Sequence, residues 1–346
     1  MSTDTATHMT TDALVIGAGP VGLFQIFELG LQEIHAQVVD VLPEAGGQCM
    51  ALYPDKPIYD IPGLPASTGR DLTQRLLQQI APFKPGFHFK QRIAGMQAQS
   101  DGRWLATTNH GLQFLTKTVF IAAGVGAFVP RMLPLPELQP LDGKQVFYSA
   151  EDAALATGQH LVVVGGDDVA VQAALVALSQ SPASVTLLHR RSTLDISPEL
   201  QQRLQQAVAA KHMAFITAHI AQAQIKDQHL SGLQINLMDG SSRTLACDQL
   251  RVMLGLSPQL GPLADWGLDM SRKQLAVNTE NFSTSAAGIF AVGDINTYPG
   301  KRKLIVSGFH EATLAAFGAA AFLRPEQKVA LEYTTASPRL HRLLGV

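Results

Sequence analysis

The sequence predicts an α/β protein of two doubly wound domains. A strand–glycine turn–helix–strand unit occurs twice, and short β-branched apolar runs repeatedly end in glycine. The 346 residues are 46% apolar and 16% charged, enough for two cores, which excludes a disordered chain or a coiled coil. The net charge of −2 offers no bulk basic field to nucleic acid or an anionic membrane.

The first unit runs from a strand, Ala13 to Gly17, through the turn Gly17-Ala18-Gly19-Pro20-Val21-Gly22 and a helix to about Leu31. A second strand, Ala36 to Asp40, ends in an acid. Strand, glycine turn, helix, strand and acid within about 30 residues form a dinucleotide-binding fingerprint. Gly17 permits the tight turn, Gly19 lets backbone N–H groups approach a pyrophosphate, and Gly22 lets the helix pack on the strand. Asp40 is placed to accept hydrogen bonds from ribose hydroxyls.

The second unit begins with the strand His160 to Gly165. Its turn is Gly165-Gly166-Asp167-Asp168-Val169-Ala170, followed by an apolar helix to Leu178. The next strand, Ser184 to Leu188, ends in His189-Arg190-Arg191, where the first unit has its acid. Arginine forks match a phosphate, so Arg190 and Arg191 read as a 2′-phosphate site for NADP; the alternative is a solvated basic strand end. Asp167 takes the place of the second glycine, where a carboxylate would repel a pyrophosphate unless the loop bends differently. Two units imply two dinucleotides, a flavin held permanently and a nicotinamide that delivers hydride.

Beyond Asp40, Gly46-Gly47-Gln48 allows close backbone approach to a ring and supplies an amide. Tyr53, fixed by a proline-rich loop to Gly63, is placed to stack on an isoalloxazine, or else packs under a surface loop. Thr118 to Gly124 reads as a strand entering a glycine turn, followed by Gly126-Ala127-Phe128-Val129-Pro130. Gly288 to Asp294 is another strand, whose terminal carboxylate can accept from a ribityl hydroxyl, and Ala312 to Leu323 reads as a helix.

The order GAGPVG, GGQ, LYPDKPIYDIPG, IAAGVGAFVPR, HRR and AVGDI resembles the ferredoxin–NADP reductases of the thioredoxin-reductase-like type. The resemblance runs from about residue 12 to the C-terminus. It implies a homodimer that passes electrons between NADPH and ferredoxin or flavodoxin through FAD. It also implies an FAD domain, residues 9–129 and 283–346, split by an inserted NADPH domain, residues 130–282, behind a disordered tail of residues 1–8. The implied FAD contacts fall on the first turn (Gly17, Gly19, Pro20, Gly22), Asp40, Gly47, Gln48, Tyr53, Ile93, Phe128, Asp294 and Thr335. Tyr333 corresponds to a residue that stacks on the second flavin face from the partner subunit. The implied NADPH contacts are Gly165, Gly166, Asp168, Arg190 and Arg191.

Two positions depart from the family pattern: Asp167, and Asp195, where the family often carries a further arginine. They leave open a flavoprotein with a changed donor, such as NADH, or a changed acceptor, such as a quinone or dithiol. A non-catalytic FAD-binding protein is the third reading. A dithiol route of the thioredoxin reductase kind would need C-x-x-C in the nicotinamide domain, and the stretch Val146 to Asp152 holds no cysteine.

Cys49 and Cys247 are the only cysteines, which suits a reducing cytoplasm. The histidines are scattered singly, so no metal site is expected. The N-terminus has no apolar core of a signal peptide, and no uninterrupted apolar run approaches the roughly 18 residues of a membrane span. The expectation is a cytoplasmic protein without a membrane partner. Lys301-Arg302-Lys303 and the tail residues Arg339, His341 and Arg342 read either as solvated faces or as a basic rim that steers an acidic partner.

Overall fold

The computed structural model describes residues 8–149 and 157–346; residues 1–7 of the expected tail lie outside it. The chain divides into two units, one formed by Met1–Ala127 with Pro258–Val346 and the other by Phe128–Ser257.

In the first unit β1 (Met9–Ile16), α1 (Pro20–Leu31) and β2 (Ala36–Val39) make the first strand–helix–strand. Then come α2 (Gln48–Leu52), α3 (Gly69–Ile80), β3 (Gly86–His88), β4 (Ile93–Ala98), β5 (Trp104–Thr108) and β6 (Gln113–Ile121). The sheet order is β3-β2-β1-β6-β5-β4, and the later strand Ile289–Ala291 adds beside β6. The pairs β1–β2, β1–β6 and β2–β3 are parallel, with Ala13 opposite Ala36 and Val15 opposite Phe120. Ala13, Leu14 and Val15 are fully buried, as a strand covered on both faces requires; this is why β1 reads as an unbroken apolar run.

The second unit repeats the plan with β7 (Val146–Phe147), β8 (His160–Gly165), α4 (Asp168–Ala177), β9 (Ser184–His189) and α5 (Pro198–Ala209). Four strands follow: β10 (Ala214–Lys226), β11 (His229–Leu237), β12 (Ser242–Ala246) and β13 (Gln249–Met253). Their order is β7-β13-β8-β9-β10-β11-β12. In both units the glycine turn leaves the first strand between two parallel neighbours, where α/β sheets open a ligand crevice.

The return to the first unit comes after Ser257, earlier than the boundary at 282 expected from the sequence. The reason is packing. Leu263, Leu268 and Leu275 bury themselves against Val119, Ile121, Ile289 and Ala291 of the first sheet.

The chain ends in α6 (Ile305–Leu323) and α7 (Pro338–Leu344), so the expected helix starts at Ile305, seven residues before Ala312. Among the described residues α6 is the one helix long and apolar enough, by length and composition, to cross a membrane. A count of uninterrupted apolar runs passes over it because His310 and Glu311 break the run. Its small residues Ala315, Ala316, Ala319 and Ala320 are buried in one cluster with Leu23 and Ile26 of α1. Close contact is enforced at Gly308, where a Cβ would fall 2.3 Å from Val21 Cγ2.

Candidate functional site: the two dinucleotide turns

Sterics fix the first turn. Gly17 adopts φ +108°, and a Cβ there would lie 2.5 Å from the Ala122 carbonyl oxygen. A Cβ on Gly22 would lie 1.9 Å from the Gly17 carbonyl oxygen, so α1 sits directly on the turn. Pro20 occupies the start of α1, where its missing N–H costs nothing. The N-cap, Gly19, offers no side chain, and the first turn holds no acid. The first backbone N–H groups and the positive end of the helix dipole are therefore left for an external anion.

Asp40, buried at the end of β2, closes this turn. Its Oδ2 accepts from Ala18 N at 2.6 Å and its Oδ1 from Leu42 N at 2.8 Å. Burial pushes its carboxyl above the usual carboxylate range, against the pull of these backbone donors. Each oxygen keeps a further lone pair, so Asp40 can staple the loop and still accept from a ribose.

Gly47, at φ +55°, packs against Gly19, while Gly46 N donates to Ala18 O at 2.8 Å. Gln48 opens α2 with its amide nitrogen beside Gly124, whose added Cβ would lie 3.2 Å away. Tyr53 ends α2, half-buried, with its hydroxyl 3.7 Å from Cys49 Sγ. The N-terminus of α3 supports this segment: Thr68 and Asp71 form a reciprocal capping box. A Cβ on Gly69 would come within 2.5 Å of the Cys49 carbonyl oxygen. Burial, then the Cys49 contact, pushes the Tyr53 phenol up to about 12, so it stays protonated at neutral pH. Cys49 and Cys247 are both buried, free thiols.

Asp294 lies in the short helical turn Gly293–Ile295 after the strand Ile289–Ala291. Burial raises its carboxyl, and the charges of Lys301 and Lys303 oppose that rise. Its own charge acts on both Cys49 and Tyr53, which puts this turn and the Tyr53 loop in one neighbourhood. There an open groove of about 510 Å³ is lined by Tyr53, Lys56, Ile58, Tyr59, Lys303 and Ile305, among others. The volume is in the range of small-molecule sites. The N-terminus of α6, without a side-chain cap or first-turn acid, is at the groove through Leu304 and Ile305.

Lys301 corrects the sequence reading. It is not part of a solvated run or basic rim: its side chain is buried in an ion pair with Glu311, while Arg302 and Lys303 remain exposed. Glu311, with no exposed surface, was not singled out from the sequence. It accepts from Gly293 N, Asn296 Nδ2, Tyr298 Oη and Lys301 Nζ.

The second turn is closed by its own side chains. Asp167 bends back as the N-cap of α4, its carboxylate accepting from Ala170 N at 3.0 Å. Asp168, also in the first turn, accepts from Ser197 N at 2.7 Å. Asp195 donates its N–H to Gly166 O at 3.0 Å, so the residue standing for an arginine is pinned beside the turn. A Cβ on Gly166 would strike the His189 ring at 2.6 Å. Arg190 and Arg191 are exposed, and among the described residues neither forms an ion pair.

Comparison with known proteins decides the family. Residues 11–316 match the model of the pyridine nucleotide-disulphide oxidoreductases. The chain is 53% identical to a ferredoxin–NADP reductase of Albidiferax ferrireducens, over 97% of this chain and 96% of that one. It is 51% identical to ferredoxin–NADP reductase 2 of Cupriavidus taiwanensis, over 97% and 90%. The chain belongs to the ferredoxin–NADP reductases of this family. Solved structures of similar fold include thioredoxin reductase of Lactococcus lactis, at TM-score 0.55 and 24% identity over 91% of this chain and 99% of that one. A bacillithiol disulfide reductase of Staphylococcus aureus gives TM-score 0.57 at 16% identity, over 92% and 100%.

The remaining expected contacts are placed as follows. Ile93 begins β4, where it pairs with Thr108 of β5, and its side chain is buried with Leu14 and Phe114. The side chain of Phe128 lies outside the described residues. Tyr333 and Thr335 are exposed, and among the described residues no hydrogen bond joins them to the turns, Tyr53 or Asp294. The tail that carries them is tied down by Arg339, which pairs with Glu332 at 2.8 Å and with Glu33 at 2.6 Å. His341 Nε2 bonds to Thr334 O at 2.7 Å. Of the tail's expected basic rim, Arg342 alone is exposed without such a tie. Among the described residues no cluster of His, Cys, Asp and Glu could hold a metal ion.

Proposed function

We propose that the protein takes electrons from NADPH and passes them to ferredoxin or flavodoxin through bound FAD, as a cytoplasmic homodimer. The observation that carries this reading is the uncapped, acid-free start of α1, flanked by glycines and closed by Asp40. That cradle fits the FAD pyrophosphate and ribose. FAD, when bound, supplies the conversion of a two-electron hydride into single-electron transfers.

The chain's own residues bind and orient. Asp40 fixes the first turn, Gln48 and Asp294 offer an amide and a carboxylate, and Tyr53 offers a ring at the groove. The uncapped start of α6 brings positive potential to the groove. Arg190 and Arg191, exposed at the end of β9, are free to meet a 2′-phosphate. The dimer is supported by the exposed Tyr333, which in the family pattern serves the partner's flavin. The exposed Arg302 and Lys303 favour an acidic carrier, and two free thiols suit a reducing compartment.

The test is NADPH oxidation by the purified yellow protein with and without added ferredoxin or flavodoxin, followed through a haem-protein reporter. Reporter reduction should require the carrier. A protein that NADPH reduces but neither carrier reoxidises would rule out this acceptor class. Asp195, pinned beside the second turn, favours a second reading in which NADH is also a donor.

A further inference from the structure

The Gly293–Asp294 turn is gripped at one residue by both halves of an ion pair. Glu311 Oε2 accepts from Gly293 N at 2.7 Å, and Lys301 Nζ donates to Gly293 O at 2.9 Å. Glu311 comes from α6 and Lys301 from the loop before it, and their charges meet each other directly. The remaining acceptor capacity of Glu311 takes Asn296 Nδ2 at 2.8 Å and Tyr298 Oη at 2.9 Å. Gly293 sits at φ +79° and leads the chain from a buried strand to Asp294.

A buried ion pair is a poor way to gain stability alone, since two charges must be taken out of water. Apolar residues would fill that space at less cost. The pair does something apolar residues cannot: it fixes the N–H and the C=O of one residue, Gly293, from two separate segments. The next residue, Asp294, carries the carboxylate that the FAD reading assigns to the ribityl chain.

From this we infer that Glu311 and Lys301 are positioning residues for the flavin, holding Asp294 and the start of α6 in the geometry that retains FAD. This rests on the FAD reading of the first unit. It assigns no contact with the flavin to either residue.

The experiment compares FAD release and thermal unfolding in Glu311→Gln, Lys301→Met, the double variant E311Q/K301M, and Tyr298→Phe. Release is read as the gain of flavin fluorescence after dilution of the holoprotein. Each single change should speed release at least tenfold. Both singles should also melt early, because each strands a buried charge. The double variant strands none, so it should regain most of the lost melting temperature and still release FAD tenfold faster. A double variant that regains both melting temperature and wild-type release would overturn the inference, because the pair would then be a structural device only. Should the charge variants fail to fold, Tyr298→Phe removes one bond to Glu311 and leaves the pair intact. Release about threefold faster with only a small fall in melting temperature supports the positioning role, and unchanged release overturns it. A wild-type protein purified without any flavin would overturn the FAD reading itself, and the inference with it.

Discussion

Gly19 and Gly47 face each other across the first turn: a Cβ on Gly47 would lie 2.8 Å from Gly19 Cα, whereas one on Gly19 would meet only Gly47 Cα, at 3.8 Å. The two glycines are thus required for different reasons. Gly47 also sits at φ +55° and ψ −136°, a backbone region that residues other than glycine rarely adopt, before any clash. Gly47→Ala should lower the melting temperature of the protein with and without FAD. Gly19→Ala makes no clash within the chain, so it should leave the flavin-free protein equally stable and reduce its FAD content severalfold. Full FAD content in Gly19→Ala would mean that the start of α1 does not bind the pyrophosphate.

Asp167 gives the second prediction. Its carboxylate caps α4 and places a negative charge where a nicotinamide dinucleotide would bring another. Asp167→Asn keeps an N-cap acceptor and removes the charge, so stability should change by less than about 1 kcal/mol. The Michaelis constant for NADPH should fall severalfold. An unchanged constant would show that the pyrophosphate binds away from Asp167.

Arg190 and Arg191 are exposed at the end of β9, beside a turn to which Asp195 is pinned. Replacing both arginines with Ala should raise the Michaelis constant for NADPH at least tenfold and leave that for NADH almost unchanged. Asp195→Arg should act in the opposite sense and widen the preference for NADPH. Equal effects on both nucleotides would remove the 2′-phosphate assignment.

The glycine turns were legible because steric demands act over a few residues, and spacing records them. β1, β2, β8 and β9 were legible for the same reason, each a short apolar run bounded by a turn or an acid. Glu311 was not, since a lone acid in an apolar helix carries no mark of its partners at Gly293, Asn296, Tyr298 and Lys301. Lys301 was hidden within a basic triplet for the same reason: its ion pair is made in space. The return crossing was misplaced because Leu263, Leu268 and Leu275 follow no period that says which sheet they cover. Asp167 was recognised as an obstacle to a straight turn, but its role as a cap depends on a backbone bend that residue order does not record.

Tyr298 links pH to stability. Burial first, and then its bond to Glu311, push its phenol from 10.0 up to about 12. The folded protein therefore holds this proton more tightly than the unfolded chain. The contribution is full below pH 10 and is lost as pH rises through about 12. Tyr298→Phe should melt below wild type at neutral pH, with the gap closing as pH rises through that window. A gap that stays constant with pH would contradict the linkage.

The central claim is that a resident flavin in the first unit is reduced by NADPH bound at the second. Anaerobic stopped-flow absorbance tests it most directly, mixing the purified protein with NADPH and, separately, with NADH. The expected result is rapid bleaching of the oxidised-flavin band by NADPH and much slower bleaching by NADH. A flavin band that neither nucleotide bleaches would contradict the account.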